Sequence, residues 1–218
     1  MDESSSIGEM NSSLSMSSME TVNTSTSFEK DHPIPDYTKL NIIASISNNL
    51  KDIMEENVKN DQIKYVKNDI FYFSHIPSIS LNDYLNRIFK YTKMNISTLI
   101  MAIIYIDSFC QYNKYILSMN NIYRILLTSC LLSMKFNEDV SISSKYYSKI
   151  VGIPFNQIKK MEYIFCIKFK FSFFVGTDIF QKYLEYFSKN NTLEEEKKAE
   201  KESEEKKGNY KEDKTKSI

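Results

Sequence analysis

The sequence predicts an all-α fold, and three observations predict it. Apolar residues recur with a helical period in every long segment between two polar tails. Only four Gly and four Pro occur in 218 residues, too few for the tight turns of an all-β fold. Two central segments are apolar on nearly every side, which suits helices enclosed by other helices. The chain is 42% apolar and 13% aromatic, enough for a substantial core.

Taken in order, residues 1–30 hold ten Ser and three Thr within the first 27 positions. Such a stretch buries too little apolar surface to offset its ordering entropy, so it is expected to be a disordered tail. An N-terminal flanking helix is predicted over 38–58, with Leu40, Ile43, Ile46, Leu50, Ile53 and Met54 on one face. Residues 81–92 gather Leu81, Tyr84, Leu85, Ile88 and Phe89, and Ser80 with Asp83 three residues on reads as an N-cap. Residues 97–112, STLIMAIIYIDSFCQY, and 119–136, MNNIYRILLTSCLLSMKF, form the pair that is apolar nearly all round. The second is expected to be the most buried helix.

A short helix from Ser144 to Ile150 should stop at Gly152, where a left-handed cap is available. The next begins near Pro154, which suits a first-turn position, and runs to about Phe169. FKFSFFV, residues 169–175, alternates like a strand but has no evident partner and is read as extended chain. A C-terminal flanking helix is predicted over 177–189. Residues 192–218 are nearly all Glu, Lys, Ser and Asp, a second disordered and solvated tail.

The formal net charge is zero but unevenly spread: 6 Lys/Arg against 12 Asp/Glu in residues 1–74, and 12 against 5 in residues 75–175. The middle cations are scattered, whereas nucleic-acid surfaces cluster theirs. Cys110, Cys130 and Cys166 lie in apolar helical patterns without a CxxC pair, as buried free thiols of a reducing compartment would. No secretory signal is visible, and the longest apolar run, Leu99 to Ile106, is too short to span a bilayer. The expectation is an intracellular protein, cytoplasmic or nuclear.

Catalytic constellations do not emerge. The histidines are His32 and His75, both near prolines, and each Cys sits on a core-like stripe. HExxH, the P-loop and Gly-rich phosphate cradles are all missing from the sequence. What stands out instead is charge inside apolar helices. Lys135, in CLLSMKF, has Leu131 and Leu132 as its helical neighbours. Glu162, in QIKKMEYIF, neighbours Ile158, Phe165 and Cys166, and Asp107 interrupts YIDSF. A cation near a helix C-terminus needs no further explanation, but charges edging an apolar surface also suit a partner contact, and spacing leaves both open.

Those three places carry a family resemblance. YIDSF resembles the YIDRF of the second helix of a cyclin box, LLSMKF the end of its third helix, and QIKKMEYIFCIKFKF its fifth. DYLNRIFKYTK, YIDSF, IYRILLTSCLLSMKFNED, KYYSKIVGI and QIKKMEYIF follow the order and spacing of P/U-type cyclins, the phosphate-pathway class. The resemblance implies a single cyclin box at residues 75–175, five helices around a buried central one, with one flanking helix on each side and no second repeat. It implies a regulatory subunit, not an enzyme, that binds and activates a cyclin-dependent protein kinase by docking its movable regulatory helix.

Residue by residue, the resemblance carries over Lys135 and Glu162 as contacts to the kinase backbone. Leu132, Phe136, Cys166, Phe171 and Phe173 match the apolar positions that receive the kinase helix, and Asp107 matches a structural buried charge. No cofactor, metal, nucleic acid, membrane or small-molecule ligand is expected. The sequence departs from the pattern in three positions. Ser78 stands where many cyclins pair an Arg with the matched Asp, and Pro77 and Tyr84 stand where a substrate-docking patch has Met and Trp. Two other readings fit the same helices: a transcription-factor domain of this fold that binds DNA and polymerase, and a scaffold without kinase activation.

Overall fold

A computed structural model describes residues 36–59, 69–73, 76–140 and 142–188. They belong to one folded unit, residues 34–218; a second unit, residues 1–33, lies outside the described residues. The tails expected at 1–30 and 192–218, and both histidines, lie outside them too. The described residues form seven helices and no strand. These are α1 (Asp36–Lys59), α2 (Leu81–Thr92), α3 (Ile96–Asn113), α4 (Ile122–Asn137), α5 (Ser144–Val151), α6 (Phe155–Lys168) and α7 (residues 177–188).

Helix α1 buries Ile42, Ile43, Ile46, Leu50 and Met54, while Leu40 is 59% exposed. The buried stripe is centred between Ile42 and Leu50, so at 100° per residue Leu40 falls at its edge, contrary to the sequence expectation. Helix α2 starts as anticipated, with the Asp83 amide donating to Ser80 Oγ at 3.1 Å and Ser80 Oγ donating back to the Asp83 carboxylate at 2.6 Å.

Helices α3 and α4 form the centre. Twelve of the 16 residues of α4 are buried, against 11 of 18 in α3, so α4 is the more enclosed of the two. It begins three residues later than the apolar pattern suggests. The Asn121 side chain accepts from the Ser118 amide and donates to the Ile116 carbonyl, closing a tight turn that the helix can only follow. At its far end Glu138 reaches the start of α3, accepting from the Asn95 amide (2.9 Å), the Asn95 side chain (3.0 Å) and Thr98 Oγ1 (2.7 Å). One carboxylate thereby binds the N-cap amide and two side-chain donors at the α3 N-terminus, which lacks a side-chain cap of its own, and places a negative charge at the positive end of that helix. The short connection and this clasp set α3 and α4 side by side in opposite directions.

Gly152 ends α5 at φ 71°, the left-handed value that a glycine adopts without a Cβ penalty. Pro154 is the residue before α6 and not its first turn; its ψ of 137° is extended, and Phe155 opens the helix. The FKFSFFV stretch is not simply extended either. Residues 169–171 make a turn in which Lys170 (φ 53°) and Phe171 (φ 56°) are both left-handed, and only 172–176 run on without regular structure.

Aromatic side chains tie the outer elements to the centre. Phe109 of α3 stacks on Phe165 of α6 with centroids 4.2 Å apart, and Phe71 meets both edge-on. Among the described residues no helix is long and apolar enough to cross a membrane.

Candidate functional site

Lys135 leaves the last turn of α4, and Glu162 lies midway along α6. The packing of those helices brings the two charges together in a direct ion pair. Their side chains remain 32% and 22% exposed. At that exposure the pair is worth no more than about 1 kcal/mol to the fold, so stability does not account for setting two charges beside an apolar surface.

What surrounds the pair is a groove of about 530 Å³ between the starts of α5 and α6, the length of α6 and the turn that follows it. Phe155, Tyr163, Cys166 and Phe171 supply its apolar lining. Phe171 is 64% exposed and Phe136, beside Lys135, is 55% exposed. Exposed aromatics gathered about a concave surface mark an interaction site more than a solvated face.

The left-handed turn at Lys170 and Phe171 holds Phe171 at the rim. Non-glycine residues in this conformation cost roughly 1–2 kcal/mol each. They are held by bonds from the Lys170 amide to the Ile167 carbonyl (3.1 Å) and from the Phe171 amide to the Cys166 carbonyl (3.0 Å). Strain of this kind tends to persist where a side chain must be presented.

The sequence-derived site residues separate into two layers. Lys135, Glu162, Phe136, Cys166 and Phe171 reach the surface. Leu132 and Phe173 do not: at 5% and 8% exposure they are part of the core. Phe173 packs its ring on Phe136 at 5.7 Å, and its carbonyl accepts from the Tyr105 hydroxyl at 2.7 Å. It supports the exposed Phe136 ring from below. Asp107 is half-buried where a buried charge was expected, and Tyr183 of α7 donates to its carboxylate at 2.7 Å. That bond fills the role left open by Ser78, which is exposed. Tyr84 is buried, with its hydroxyl directed at the Val151 carbonyl, so it presents no docking surface.

Sequence reasoning missed Phe155, Lys145, Lys159 and Tyr163, all at the groove. A signal existed for three of them. Phe155, Lys159 and Tyr163 recur at four-residue spacing, as neighbours along one helix face. The thiols are not poised for nucleophilic chemistry: burial pushes Cys130 up to about 12, and burial followed by the neighbouring Glu162 charge raises Cys166. Among the described residues no three His, Cys, Asp or Glu side chains converge on a common point.

Comparison with known proteins points one way. A family model described as Cyclin matches residues 6–173. The chain is similar to Cyclin-U2-2 of Arabidopsis thaliana, 34% identical over 118 residues that cover 54% of this chain and 51% of that one. Cyclin-U2-1 of the same plant is 32% identical over 118 residues, covering 54% and 53%. The PHO85 cyclin-like protein psl1 of Schizosaccharomyces pombe is 29% identical over 152 residues, covering 66% and 63%. The matches span about half the length of the two plant proteins.

Proposed function

The chain belongs to the cyclin family, as a cyclin of the P/U type, and from that premise we propose that its groove docks the regulatory helix of a cyclin-dependent protein kinase and shifts the kinase toward its active arrangement. The observation that carries the reading is the Lys135–Glu162 pair set at the mouth of an apolar groove. An amphipathic helix laid in such a groove buries its apolar face on Phe171, Phe155 and Tyr163. The ammonium of Lys135 keeps donors to spare after pairing, and Glu162 keeps a second carboxylate oxygen. Each can therefore bind the partner's backbone, a carbonyl for the lysine and an amide for the glutamate, without losing the other. The pair is pre-organised, so binding immobilises little that is not already held.

The mechanism is a population shift. A kinase needs its regulatory helix turned inward so that a Lys–Glu ion pair forms and positions the nucleotide phosphates. A protein that binds the inward position more tightly than the outward one favours it by that difference in affinity. No atom of this chain enters the chemistry.

The test is calorimetry of the chain with a purified cyclin-dependent kinase, paired with kinase activity on a generic substrate. Lys135→Ala is expected to weaken association about ten- to a hundredfold, the loss of one charged hydrogen bond at an interface together with an ion pair that held its partner in place. Glu162→Ala should act alike, with circular dichroism and melting near wild type. Unchanged affinity in the double variant sinks the reading.

A further inference from the structure

The charged lining of the groove is mostly cationic, with Lys135, Lys145 and Lys159 against Glu162. Its single lining carboxylate, Glu162, is already paired with Lys135. Lys145 and Lys159 line the groove as well, both exposed, and among the described residues no carboxylate pairs with either. Lys145 is the second residue of α5, and Lys159 lies in α6 with its ammonium 5.5 Å from the Phe155 ring centroid. Neither helix has an acidic residue in its first turn. A cation at a helix N-terminus adds to the positive end of the dipole where an anion would normally offset it. This end of the groove is therefore positive from several sources at once. A purely apolar segment lying across it would strip water from the ammonium groups and return nothing.

Building on the docking reading above, we infer that the segment received here is an amphipathic helix carrying acidic side chains along the edge that faces Lys145 and Lys159. Its apolar face lies on Phe155, Tyr163 and Phe171. The acidic edge fixes which end of the helix lies toward α5, because the opposite orientation would leave Lys145 and Lys159 without a counter-charge. Apolar burial holds the segment, and charge chooses its direction and its identity.

Two synthetic amphipathic helical peptides test this without any kinase. They share one apolar face and differ only in bearing Glu or Lys at the flanking positions, and each is titrated into the full chain. The Glu peptide is expected to bind at least about tenfold more tightly at low salt, and the difference should shrink as salt rises. Lys145→Glu combined with Lys159→Glu should reverse the order, with folding checked by circular dichroism. Lys90→Glu combined with Lys182→Glu, outside the groove, should leave it unchanged. No binding of the Glu peptide, equal affinities, a preference for the Lys peptide, or a reversal by the control pair overturns the proposal. The two readings also fail separately. A kinase that binds the wild type and the Lys145/Lys159 variant equally well defeats the acidic edge and leaves docking standing. A preference for Glu peptides in a chain that binds no kinase does the opposite.

Discussion

Around α4, polar atoms are few and turned to backbone: Ser129 Oγ donates to the Ala102 carbonyl of α3 at 2.5 Å, and the Tyr147 hydroxyl of α5 to the Leu127 carbonyl at 2.7 Å. Around α6 the arrangement is reversed, with Lys135, Glu162, Lys145 and Lys159 beside aromatic rings that face outward. Both regions draw on aromatic and aliphatic side chains, yet one uses polarity only to satisfy its own interior, and the other leaves donors and acceptors for something else. A core minimises unsatisfied groups; a docking face keeps them available. The contrast separates residues that matter to folding from residues that matter to association, and substitutions in the two regions should part company accordingly.

The largest effect should come from the centre. Phe109→Ala removes a fully buried ring that stacks on Phe165, and is expected to cost about 3–5 kcal/mol in denaturant unfolding. A loss below about 1 kcal/mol would mean that the interior is loosely packed and the contrast unfounded. Phe171→Ala should show the opposite profile. Its stability change should stay within about 0.5 kcal/mol, while kinase affinity falls by about 2 kcal/mol, or roughly thirtyfold. Equal losses of stability and affinity would merge the two regions into one.

The smallest effect sharpens the comparison with a thiol from each region. Cys130 is fully buried, while Cys166 is half-exposed at the groove. At neutral pH a maleimide should label Cys166 slowly in the native state, and kinase should protect it; Cys130 should react only on global unfolding. Burial raises the Cys130 thiol from 9.0 to about 12 and the Tyr105 phenol from 10.0 to about 12. Both folded-state values lie above the unfolded ones, so this stabilisation is whole below pH 9.0 and is lost as the pH climbs toward 12. Cys130 labelling should accelerate across that window together with loss of helical signal.

Local chemistry was legible in the sequence, and long-range pairing was not. The Ser80 cap, the Gly152 stop and the enclosed α4 follow from spacing and propensity. Asn121 shifted the start of α4 because a side-chain turn competes with helix and leaves no trace in apolar periodicity. The family pattern assigned Lys135 and Glu162 to a partner, but nothing local shows that two charges 27 positions apart pair with each other. The same holds for Asp107 and Tyr183, 76 positions apart. Leu132 and Phe173 were grouped with the groove since an apolar residue looks alike whether it lies on a floor or one layer beneath it.

The clasp of Glu138 on Asn95 and Thr98 also has a meaning in time. It closes the central pair using residues no later than 138, whereas the groove needs Lys145, Phe155, Glu162 and Phe171. On a ribosome adding about 5–20 residues per second, the last of these trails the clasp by roughly 2–7 s. The α3–α4 pair can form while the later helices that complete the core, Phe165 among their side chains, are still unmade, and a half-synthesised chain does not yet carry the groove.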